Sequence, residues 1–181
     1  MSELPILNSD STRSGGHEEL AMAGIRLDPS HVGPQFYTLL AVGGGNERPL
    51  TADGRIIFFA RTTLAHKALA MDKTMAVLGN PPRDMETMCD VAQTLYLVNS
   101  QDSDPDGVVL DCLLIFDDLV RASQLSMPER YQGILTELAA RLTEGQSLKK
   151  VFTNEALRQH VEDALLWCVG AVTMKSKVLT S

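Results

Sequence analysis

The chain has 181 residues, 44% of them hydrophobic and 22% charged, with 16 Lys and Arg against 23 Asp and Glu, a formal net charge of −7. That balance is typical of a globular domain and excludes collagen-like and wholly disordered chains, while a net acidic chain lacks the clustered cations that bind nucleic acid. Its uninterrupted apolar runs, such as Cys112 to Phe116, fall far short of the roughly 20 residues that cross a bilayer, and no charged segment leads into a long apolar core at the N-terminus.

Residues 1–34 mix Ser, Gly, Asp and Pro with scattered apolar residues, and a flexible N-terminal tail is expected, with Leu20, Met22, Ile25 and Leu27 able to dock a short piece on the body. Residues 35–181 then form a single domain. The runs FYTLLAV (36–42) and RIIFFA (55–60) read as two strands of an antiparallel hairpin. Their connection, rich in Gly and turn residues, reads as a long flexible loop. Gly43, Gly44 and Gly45 follow the first strand, but Arg48 stands where a dinucleotide fingerprint needs its last Gly. After Thr62 and Thr63, Leu64, Ala65, Ala68 and Leu69 fall on one side of a helix.

Past Pro81-Pro82, Asp84 is placed to cap a helix in which Met85, Met88, Cys89 and Ala92 share a face. Residues 95–98, within TLYLV, read equally as a third strand or as helix. Val109, Cys112, Leu113, Phe116 and Val120 follow a helical repeat, with Asp106 placed to help cap it. Ser126-Met-Pro-Glu129 has the form of a capping box before the face Tyr131, Ile134, Leu135, Leu138 and Leu142. Asn154 caps a last helix with the stripe Leu157, Val161, Ala164, Leu165, Cys168 and Val172. Strands first and helices afterwards define an α+β fold: an N-terminal hairpin, a helix, then a mainly helical C-terminal half.

The acidic excess is concentrated. Nine acids and no Lys or Arg lie between Asp84 and Val120, and the rest of the chain carries +2. Within this stretch Asp102-Ser-Asp104-Pro-Asp106-Gly matches the first six positions of a calcium loop, whose closely spaced carboxylates supply hard oxygens. Leu113 stands where that loop needs its closing Glu, so Asp102, Asp104 and Asp106 make at most a partial site for calcium or magnesium, and a solvated turn is the plainer expectation. Met71, Met75, Met85 and Met88 cluster around one bend. Met85 and Met88, rimmed by Glu86 and Asp90, make a candidate groove for a basic partner, with core packing as the plainer role.

The three Cys (Cys89, Cys112, Cys168) lie far apart in sequence and fall on expected apolar stripes, which points to reduced core thiols in a cytoplasmic protein rather than a disulfide framework. With no catalytic motif in view, the expectation is a small cytoplasmic protein acting through protein contacts, as a regulator, an adaptor or a homo-oligomer. The alternative is a hydrolase or metal-dependent enzyme using carboxylates of residues 102–118.

Overall fold

The computed structural model describes residues 19–43, 46–71 and 82–181. Strands β1 (Glu19–Arg26), β2 (Phe36–Gly43), β3 (Asn46–Pro49), β4 (Thr51–Ala52) and β5 (Arg55–Phe59) come first, followed by helix α1 (Thr62–Met71) and strand β6 (Thr87–Asp90). Helices α2 (Val91–Ser100), α3 (Val108–Ser123), α4 (Glu129–Thr143), α5 (Leu148–Val151) and α6 (Glu155–Met174) follow, and β7 (Ser176–Leu179) is the last element among the described residues. The fold is α+β, with N-terminal strands and a helical C-terminal half.

One mixed sheet separates two apolar cores, and period-2 alternation sorts side chains between them. Ala21, Ala23, Ile25, Leu40, Ile56 and Phe58 face the larger core with α2, α3, α4 and α6. Leu20, Met22, Leu39, Ile57 and Phe59 face the other side, which α1 covers with Ala65, Ala68 and Leu69. The continuous apolar character of RIIFF has this cause: both faces are covered. Full burial of side chains such as Phe59, Met22 and Leu39 stabilises the fold by about 1.5–3 kcal/mol each.

The strand order is β4-β5-β2-β1-β6, with β3 also on β2 and β7 on β5. β1 and β2 are antiparallel, whereas β1–β6 and β5–β7 are parallel. β2 and β5 meet antiparallel at Tyr37 and Phe59. The buried Thr38 hydroxyl strengthens this seam by donating to the Ile57 carbonyl at 3.0 Å. Among the described residues no helix is long and apolar enough to cross a membrane.

Several expectations are corrected. Glu19–Arg26, expected within the flexible tail, is a strand between β2 and β6 whose Leu20 to Ile25 are buried. Residues 1–18 of that expected tail lie outside the described residues, as do Gly44, Gly45 and Met75. The loop between the two expected strands is itself strand, because Glu47 to Pro49 turn back onto β2 and Leu50 donates to the Leu39 carbonyl at 2.8 Å.

Asp84 caps no helix. Thr87–Asp90 pairs parallel to β1, and the helix begins only at Val91, capped by Asp90, whose side chain accepts from Gln93 N at 2.9 Å. That helix runs on through residues 95–98, burying Val91, Thr94, Leu97 and Val98 at helical spacing. Ser126 does not form its capping box either, because Pro128 takes the cap position and α4 starts at Glu129. Asn154 caps α6 as expected, accepting from Leu157 N at 2.9 Å.

Candidate functional site

α3 brings the acidic stretch to the surface. Its apolar stripe, from Val109 through Cys112, Leu113, Phe116 and Val120, faces the core and leaves Asp111 and Asp117 in solvent. Leu114 breaks the pattern: it lies on the polar side, three residues from each of these acids, and is 54% exposed. Beside it α3 and α4 leave a cavity of about 190 Å³, lined by Leu113, Leu114, Phe116, Met127, Leu135 and Ala139, with Asp117, Gln132 and Thr136 among its polar neighbours. Of the α4 residues only Leu138 is completely buried.

A second, polar cleft of about 440 Å³ lies where β3 and β4 approach the C-terminal end of α3, and Glu47, Arg48, Thr51, Asp118 and Arg121 line it. Burial pushes the Asp118 carboxyl up to about 6, with Glu47 and Asp117 adding to the rise and Arg121 opposing it. Arg121 pairs with Asp117 one turn away and lies 3.4 Å from Asp118. Asp111 is also raised, by burial and then by Asp104.

The Asp102 to Asp106 carboxylates do not converge. Asp102 accepts from the Tyr96 hydroxyl at 2.9 Å. Asp104 turns inward, and its two oxygens accept from Val108 N at 2.9 Å and Val109 N at 3.0 Å. It thereby caps α3, the role expected of Asp106, because the cap position is Gly107 in the left-handed region with φ 70° and has no side chain to offer. Asp106 is exposed. Among the described residues no group of three or more His, Cys, Asp or Glu is arranged to hold a metal ion.

The residues singled out around the methionine bend have different surroundings. Glu86 is exposed, and Met85 folds its sulfur over Gly24. Met88 is half-buried on β6. Asp90, expected on a groove rim, is buried and bonded to Arg26 at 2.8 Å. Met71 is exposed on α1.

Leu114 had a legible signal, an apolar residue amid acids on the outer face of a helix. Glu47 and Arg48 had none, since only folding brings β3 to α3. Compared with protein-family models, curated proteins and solved structures, the chain matches none.

Proposed function

We propose that the protein acts through contact with another protein, and that the α3–α4 groove takes an amphipathic segment of a partner with a basic polar face. One observation carries this reading: Leu114 stands more than half exposed at an apolar groove, between the exposed Asp111 and Asp117. An apolar side chain set among acids is matched by a helix that presents leucine on one face and lysine on its flank. Of the α3 carboxylates, Asp117 and Asp118 share Arg121 while Asp111 stands apart beside Asp104, an arrangement that favours recognition over a joint catalytic role of all three.

A synthetic leucine–lysine amphipathic helix tests it by fluorescence anisotropy, against a peptide of the same composition scrambled to lose its apolar face. The ordered helix is expected to bind saturably, and Leu114→Glu to weaken it at least tenfold, about 1.4 kcal/mol. Equal affinity for the two peptides, or for protein and variant, overturns the reading. A Leu114-dependent dimer in light scattering would give the groove to a second copy of the chain and overturn the basic partner.

A hydrolase using carboxylates of residues 102–118 is the second reading. The observation in its favour is Asp118, held up to about 6 in the polar cleft beside Glu47. Turnover of a generic phosphate or acyl ester that disappears in Asp118→Asn would support it.

A further inference from the structure

Cys89 lies on β6 and Cys112 on α3, both fully buried, and their sulfurs are 3.2 Å apart. Two sulfurs joined in a disulfide lie about 2.0 Å apart, so closing the bond takes a relative movement of about 1.2 Å. β6 is the element able to supply it. It is four residues long, stands at the end of the sheet on β1, and follows the exposed residues 83–86. Short edge strands of this kind open locally before the core does.

We propose that Cys89 and Cys112 form a modification site, a reversible disulfide that staples the edge strand β6 to α3 when the protein meets a two-electron oxidant such as hydrogen peroxide. The thiolate of Cys89, exposed by fraying of β6, attacks one peroxide oxygen and the O–O bond breaks. The departing oxygen leaves as hydroxide and becomes water by taking up the proton the Cys89 thiol gave up, and a sulfenic acid remains. The sulfur of Cys112 then attacks the sulfur of Cys89, the S–O bond breaks, and the hydroxide leaves as a second water with the proton from Cys112. Two thiols lose two electrons and two protons in all, and one peroxide becomes two waters.

The closed state protects the pair. The thiol contact with Cys112 and burial hold Cys89 well above the usual thiol range, so the thiolate is scarce until β6 opens. Oxidation is therefore slow, and its rate follows the opening of the strand.

The test uses the unmodified chain. The folded protein is exposed to millimolar hydrogen peroxide, then denatured in iodoacetamide and mapped by peptide mass spectrometry. A Cys89–Cys112 crosslinked peptide is expected, with Cys168 the one alkylated thiol, faster formation in sub-denaturing urea, and reversal by dithiothreitol. The oxidised protein should melt about 5 °C higher than the reduced one, since the bond restrains the unfolded chain. Cys168→Ser should form the same crosslink. Three alkylated cysteines after prolonged exposure, a crosslink that contains Cys168, a bond between chains, or oxidation of Cys89 past the sulfenic stage without a crosslink would each overturn the proposal. The mapping needs no variant, so a poorly folding cysteine substitution cannot obscure it.

Discussion

Arg26 and Asp90 are register partners where β1 and β6 end side by side, and the guanidinium donates to the carboxylate at 2.8 Å. The same carboxylate caps α2 through Gln93 N, and Arg26 also donates to the Pro29 carbonyl at 2.8 Å. The pair thus joins two strands, a helix start and a loop. Asp90→Ala removes the cap and leaves the Arg26 charge partly buried without its partner, and should cost about 2–4 kcal/mol in urea unfolding. Asp90→Asn keeps an oxygen for the cap and should cost less. Equal losses in the two variants would remove the ion pair from this account.

Asp104 fastens the start of α3, while Asp102 and Asp106 lie outside that cap. Asp104→Ala is expected to destabilise the protein by about 1–2 kcal/mol, and Asp106→Ala by less than about 0.5 kcal/mol. A partial calcium loop would make the three carboxylates interchangeable instead, and melting temperatures of the variants with and without millimolar calcium separate the two cases.

The elements whose signal is local were legible in the sequence. The stripes of α3 and α6 and the Asn154 cap depend on residues within a few turns of one another. β1 was obscured because its Leu20-Ala-Met22-Ala-Gly24 run has small residues on both faces, and a small, weakly branched run reads as strand only once β2 and β6 flank it. Thr87–Asp90 failed for a related reason: four residues are too few to show a period, and Cys89 fits a helical face as well as a strand. Of the site, Leu114 carries a local signal that the reading of the α3 stripe passed over, while the approach of Glu47 to Asp118 is a product of the long connection folding into β3.

Asp118 gives a pH dependence. Its carboxyl titrates near 6 in the folded protein and near 4 in an unfolded chain. Between those values the folded state holds more protons, so stability falls as pH rises from about 4 to about 6 and then levels off. Asp118→Asn removes that fall. Its stability relative to the unmodified protein should improve by about 1 kcal/mol between pH 4 and pH 7, a figure reduced for solvent screening in the open cleft. A difference in melting temperature that stays constant across this range would contradict the raised titration.

Gly24 is fixed by close approach. A Cβ there would lie 2.6 Å from Pro34 Cγ and would collide with the Met85 sulfur. The thioether end can swing away but the proline ring cannot, so Gly24→Ala should destabilise by about 1–3 kcal/mol. Adding Met85→Ala should recover only part of that loss. Complete recovery in the double variant would mean that Pro34 yields.

β7 pairs with β5, so Ile56 meets Ser176, and Ala60 N reaches the Leu179 carbonyl at 3.0 Å. During synthesis the ribosome makes one side of this seam on the order of ten seconds before the other. Through that interval the strand Ile56-Ile-Phe-Phe59 has an open edge and high β-propensity, the combination that invites pairing between nascent chains. β7 is a late closure, and until it pairs, that edge carries the hazard of association between chains.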